Sequence, residues 1–352
     1  MKKILTLLLF LITSLINGQV LLSENFNSLS IGNFNTNIDG SAAGQGGWFT
    51  TATNGAAPTT SNNTSVVNFQ IVANGNSSSQ GFLLQTPNGD KGTRKMWQNG
   101  LPALWASRDV GKDIIEVEYD LFTGPATGNV ANVDVWIQAN NGANTVYPVG
   151  MRYSPATRSL RGLIYKNDGG FMNQTSMMFT GSVTYEPNIW LRIGFSYNII
   201  TGEVIWKGPN GILANSSLYN SSNWVPNSIP TEFSFNVSVP TTGLINSTTS
   251  DVIFDNLVVR AVATSTLSLD NVQNVDNTIS LYPNPANSNL NIHSKDNILN
   301  IKILDVNGRI IFNQNNLNSN TSNIEVSNLK SGIYMVIVEN ESGVQKTKFI
   351  KS

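Results

Sequence analysis

The dominant signal along the chain is the two-residue alternation of half-buried β-strands. Ile115, Val117, Tyr119 and Leu121 alternate with Glu116, Glu118 and Asp120, which puts apolar side chains on one face and carboxylates on the other. Val133, Val135 and Ile137 alternate with Asp134, Trp136 and Gln138 in the same way. Further on, Leu191, Ile193, Phe195, Tyr197 and Ile199 oppose Trp190, Arg192, Ser196 and Asn198. The turn at Thr201-Gly202 leads into Glu203–Lys207 and reads as a hairpin. No stretch keeps a helical period beyond about two turns, and no repeat recurs at a fixed spacing. Residues 19–263 therefore read as one all-β domain, a large two-sheet sandwich of jelly-roll type.

Both ends depart from this texture. Lys2 and Lys3 precede an apolar run from Ile4 to Ile16, followed by Asn17, Gly18 and Gln19. A positive start, an apolar stretch of about a dozen residues and a small residue predict a signal peptide over 1–18. A membrane anchor needs about 20 apolar residues. No other run approaches that length, so no transmembrane segment is expected in the mature chain. Near the other end, residues 264–278 are rich in Ser, Thr, Asn and Val and read as a linker.

From Ile279 to Ser352 four short motifs follow one another. Tyr282-Pro283-Asn284-Pro285 precedes Leu290 and Ile292, and Asp305 is followed by Gly308 and Arg309. Gly332 and Tyr334 open an apolar run to Ile337, and Lys346–Lys351 closes the series. Proline cannot donate to a ladder, so Pro283 and Pro285 mark a sheet edge. Asp305-Val306-Asn307-Gly308 reads as a hairpin turn. The run after Gly332 is apolar on both faces, as in a central strand of a small sandwich. In order and spacing these motifs resemble the type A C-terminal sorting domain of the type IX secretion system. The resemblance implies a small immunoglobulin-like β-sandwich over 279–352. It also implies two partners, an outer-membrane translocon that reads it and a sortase-like peptidase that removes it. The cargo is then secreted, or held at the outer cell surface on lipopolysaccharide, after passing through the periplasm.

Composition narrows the chemistry. Only 12 % of residues are charged, about half the usual share of roughly 25 %. Net charge is −1 with no basic block, so a nucleic-acid partner is not expected. Cys is absent and His293 is the single His. That removes disulfides, thiolate sites, Ser-His-Asp triads and His-ligated zinc from residues 19–263.

Within that domain, Leu22–Asn27, Trp190–Tyr197 and Val252–Val259 resemble a concanavalin-A-like or LamG-like jelly roll. The resemblance implies paired first and last strands and a glycan-binding or glycan-cleaving role. It also implies a structural Ca²⁺, for which Glu24, Asp251 and Asp255 supply hard oxygen donors if those strands pair; the alternative is that Asp255 bonds a neighbouring turn. Glu116, Glu118 and Asp120, roughly 6–7 Å apart along one face, are the candidate acids of a glycosidase. They depart from the Glu-x-Asp-x-x-Glu of family-16 enzymes, and a solvated strand face gives the same spacing. Trp136 with Asp134 and Gln138, and Trp190 with Arg192, place a ring beside planar polar groups, as sugar sites do. Trp48, Trp97, Trp105, Trp206 and Trp224 read equally as core or platform, and Arg108, Arg152, Arg158 and Arg161 as surface charges or as holders of an acidic polysaccharide. The function expected is an exported carbohydrate-binding protein. A non-catalytic adhesion or structural surface protein is the alternative, and a carboxylate-based polysaccharide hydrolase or lyase comes third.

Overall fold

The computed structural model describes residues 18–54, 64–179, 183–240, 245–267, 279–305, 309–340 and 343–352. The leader up to Asn17, the linker beyond Leu267 and Gly308 lie outside the described residues. The chain divides into two compact units, Met1–Ser268 and Leu269–Ser352.

The larger unit opens with β1 (Gln19–Glu24), β2 (Gly32–Asn33), β3 (Trp48–Thr53), β4 (Phe69–Val72), β5 (Gly81–Gln85) and β6 (Thr93–Gln98). The short helix α1 (Leu101–Ala106) follows, then β7 (Ile114–Phe122), β8 (Asn132–Asn141), β9 (Asn144–Ser154), β10 (Ser159–Asp168) and β11 (Phe171–Met178). The series ends with β12 (Trp190–Asn198), β13 (Val204–Gly208), β14 (Gly211–Ala214), β15 (Ile229–Ser238) and β16 (Asp251–Val262).

These strands form two antiparallel sheets. One runs β14-β13-β12-β7-β16-β5-β4-β2, with β1 also on β16; the other runs β11-β10-β9-β8-β15-β6-β3. The first and last strands pair, Glu24 opposite Leu257. The apolar sides of the alternating strands face one another across the sandwich. Val117, Tyr119, Ile193 and Phe254 of the first sheet and Val135, Ile137, Phe233 and Phe235 of the second are all buried in one core. Phe235 and Phe254 meet at 4.6 Å between ring centroids. Trp206 crosses from β13 to donate its indole N–H to the Gly150 carbonyl at 2.9 Å. A Cβ at Gly162 would come within 2.6 Å of that ring, so the close approach needs glycine there. The architecture is the jelly-roll-like sandwich expected.

The smaller unit contains β17 (Ile279–Tyr282), β18 (Asn289–Leu304), β19 (Ile310–Glu325), β20 (Gly332–Asn340) and β21 (Gly343–Lys351). The long β18 pairs with β17 and the end of β19 through its first half, and with β20 and the start of β19 through its second. A small β-sandwich results, enclosing Ile292, Ile301, Ile303, Val336, Val338 and Phe349. The expectation for β20 needs correction. Val336 and Val338 are buried, whereas Ile333 is 56 % and Met335 44 % exposed. One apolar face of that strand therefore points to solvent.

Candidate functional site

Each sheet of the larger unit turns one polar face outward, and the two faces differ in kind. On the nine-stranded sheet, Glu116, Glu118 and Asp120 share the outer side of β7. Glu116 is fully buried and Glu118 and Asp120 nearly so. This corrects the solvated-face reading. Arg260 of β16, in register with Glu116, donates Nε to its Oε1 at 2.7 Å and an Nη to Glu118. Ser265 Oγ and the Thr266 amide donate to Glu116 Oε2 at 2.8 and 2.7 Å. Residues 265–267, expected at the start of a linker, thus lie on this face, with Leu267 buried. Lys207 and Arg192 complete the network on Glu118 and Asp120. Burial works to raise the Glu118 pKa, but Arg192, Arg260 and Lys207 outweigh it and hold the carboxyl below its ordinary value. A general acid needs the opposite shift. Three carboxylates saturated by cations and hydrogen-bond donors form a structural lock.

Trp190 and Arg192 sit on this same sheet, on β12, while Trp136 sits on β8 of the other. The outer faces of a sandwich point in opposite directions, so the two tryptophans cannot share a platform. Trp190 packs on Phe122, its partner in register, at 5.2 Å between centroids. Arg192 is tied to Asp120 Oδ1 at 3.1 Å and to the Asn256 carbonyl at 2.8 Å.

The calcium carboxylates do not converge either. Glu24 Oε1 accepts from the Phe26 amide, and Asp251 Oδ1 accepts from Gln85. Asp255 is buried and accepts from the Asn76 amide at 2.9 Å and Ser79 Oγ at 2.7 Å, the turn-bonding alternative. Burial pushes its pKa up, against the pull of these bonds. Among the described residues no group of three or more His, Asp or Glu side chains is placed to hold a metal ion.

The outer face of the seven-stranded sheet is built differently. One rung crosses it in register, Phe49–Trp97–Ser234–Trp136–Gly150–Leu163, on β3, β6, β15, β8, β9 and β10. Phe49 and Trp97 stack at 5.5 Å with planes 19° apart. The Trp136 indole donates to Ser234 Oγ at 3.1 Å, which lays the ring along the sheet. Tyr147 joins it at 4.5 Å between centroids. A bulge places it there: Ile137 faces Val149 and Ala139 faces Val146, so Tyr147 and Pro148 together oppose Gln138. Pro148 inside a strand was a readable sign of that bulge, and sequence reasoning passed over it together with Tyr147. Phe49, Trp97, Trp136 and Tyr147 all remain half-buried.

The next rung is polar: Thr51–Lys95–Asn236–Asp134–Arg152–Arg161. Arg152 grips Asp134 through Nε and Nη2, both at 2.7 Å. Burial pushes Asp134 above the usual carboxylate range, against the pull of Arg152. Lys95 passes over Trp97 at 4.9 Å to reach Glu232 at 2.7 Å. Gln138 lies opposite Glu232. Of the remaining candidates, Trp48, Trp105 and Trp206 are core, and Trp224 is half-buried on the loop before β15. Arg108 pairs with Asp113, and Arg158 donates to the Tyr185 carbonyl.

In the smaller unit the motif residues hold the fold together. Asn284 Oδ1 accepts from the Ile350 amide at 2.9 Å, and the Ala286 amide donates to the Ile350 carbonyl at 2.8 Å. Tyr282, Pro283 and Pro285 lead into this contact, with cis bonds at both X-Pro positions. Asp305 accepts from the Arg309 amide and Nε. Tyr334 stacks on Phe349 at 5.4 Å and donates to the Lys330 carbonyl.

Comparison with known proteins assigns this smaller unit. Residues 280–352 match the family described as secretion system C-terminal sorting domain. The tail therefore marks the chain for type IX export to the cell surface or the medium. No helix among the described residues is long and apolar enough to cross a membrane. No curated protein matches the chain. Among solved structures, alginate lyase vAL-1 from Chlorella virus is 10 % identical, covering 55 % of this chain and 89 % of its own, with TM-score 0.40. Alginate lyase Aly36B with an alginate tetrasaccharide is 12 % identical over 69 % of this chain and 98 % of its own, TM-score 0.40. The botulinum neurotoxin serotype C1 binding domain is 10 % identical over 77 % and 60 %, TM-score 0.38. Likeness this distant transfers no substrate.

Proposed function

We propose that the exported protein binds a carbohydrate on the outer face of its seven-stranded sheet. The observation that carries the reading is the registered rung of half-buried rings, Phe49 and Trp97 on one side of Ser234 and Trp136 with Tyr147 on the other. Aromatic faces stack on the C–H side of sugar rings, and fixed planar groups beside them read hydroxyls. Gln138 on β8 and Asn236 and Glu232 on β15 are such groups, each two residues along its strand from Trp136 or Ser234. The paired strands hold them rigid, so little ordering is lost on binding. The test is a glycan array probed with the mature full-length protein, beside the same protein with Trp136→Ala. Binding that disappears with the ring supports the site; binding that survives it places the ligand elsewhere.

A second reading has an observation of its own. At the free edge β11, Phe171 is 79 %, Met172 47 % and Met178 45 % exposed. An apolar sheet edge is a pairing surface, and it favours a non-catalytic adhesion or structural protein that engages another protein there.

A further inference from the structure

Among the described residues of the larger unit, the Lys and Arg side chains are accounted for with one exception. Lys95, Arg152, Arg192, Lys207 and Arg260 are held by carboxylates. Arg108, Lys112 and Lys166 have acidic partners as well. Arg158 donates to a carbonyl, and Lys91 and Arg94 are also engaged. The Arg161 side chain alone makes no hydrogen bond or ion pair. Its position sharpens the point, because it stands directly opposite Arg152 in the β9–β10 ladder. Like charges facing each other across a strand pair are destabilising. Asp134 meets the charge of Arg152 bidentately. Nothing does so for Arg161.

The same face carries the aromatic rung, and Arg161 is two residues along β10 from Leu163, the end of that rung. Trp136 lies two strands over, so two interstrand spacings and a two-residue step put the sites roughly 12 Å apart. Between them stands Gly150, which adds no side chain to the face. Asp134 and Glu232 balance Arg152 and Lys95, and the positive charge left on the face is that of Arg161.

We infer that the ligand of this face is an acidic glycan, and that Arg161 receives the carboxylate of one sugar while Trp136 and Tyr147 stack on another. This rests on the carbohydrate reading above. A guanidinium suits the role because its planar fork matches a carboxylate bidentately and stays charged at any working pH. The two directly opposed arginines are a liability in the free protein and become compatible once an anion lies over them.

The experiment uses the mature full-length protein and a panel of uronate-containing oligosaccharides, each paired with its carboxyl-reduced neutral counterpart. The acidic member of a pair should bind about tenfold tighter or more, the scale of one charge-assisted hydrogen bond. Arg161→Gln should remove that preference, Arg161→Lys should restore part of it, and neither should lower the melting temperature, since the side chain holds no partner. Equal binding of both members, or an unchanged preference in Arg161→Gln, overturns the acidic assignment and leaves the aromatic platform standing. Absence of binding to every member overturns both.

Discussion

Gly150 stands directly opposite Trp136 in the β8–β9 ladder, and a Cβ there would come within 2.7 Å of both the Trp136 Cβ and the Val135 carbonyl oxygen. Its carbonyl accepts the Trp206 indole N–H. Glycine at this position thus joins the candidate surface to the core packing.

Gly150→Ala should therefore lower stability by about 1–3 kcal/mol, the usual cost of overpacking where the obstacle is backbone. Gly128 is the control, because nothing lies within 4 Å of the place an added methyl would take. Gly128→Ala should shift stability by less than about 0.5 kcal/mol. Chemical denaturation of both variants checks the pair.

Trp136 and Trp190 should separate cleanly. Trp136→Ala should cost roughly 1–3 kcal/mol of glycan binding, the scale of a stacked ring, and Ser234 keeps a donor in Asn236. Trp190→Ala should leave binding intact and lower the melting temperature, because that ring packs on Phe122. Glycan titrations beside thermal melts would expose the reverse pattern.

The carboxylate lock carries a pH signature. Arg192, Arg260 and Lys207 override burial and depress the Glu118 pKa below its ordinary value of 4.5. A depressed carboxyl stabilises the fold above its unfolded pKa and loses that contribution as pH falls through the folded one. The stability gap between the native protein and Glu118→Gln should therefore be widest above pH 4.5 and narrow below it. A gap that stays constant from about pH 2 to about pH 7 would contradict the ionic role.

Passage from the periplasm to the outside should depend on the tail. Deleting residues after Thr278 should leave a folded larger unit in the periplasm, since its core is separate from that of the tail. Immunoblots of periplasm and medium decide this; normal amounts in the medium would refute it.

How far the sequence was legible follows from the range of the interactions involved. The alternation in β7, β8 and β12 and the motifs of the tail are local, and local patterns survive into the fold. Sheet membership is not local. Nothing near Trp136 or Trp190 says that β8 pairs with β15 and β9 while β12 pairs with β7 and β13. The acidic side of β7 looked solvated for the same reason, because its cover comes from Arg260, Ser265 and Thr266, far along the chain. Arg161 was visible only as one arginine among several. Its lack of a partner became a fact once every other cation had found its own.

The bonds from Ser265 and Thr266 to Glu116 also have a mechanical meaning. Strand β16 lies between β7 on one side and β5 and β1 on the other. A pull applied to the chain beyond Leu267 first meets the Glu116–Arg260–Thr266 knot. Behind it the force runs along the strand axis, so the ladder bonds on both flanks resist together in shear and do not peel one by one. A protein tethered through that end in flowing water would transmit drag into a strand held by ladders on both flanks.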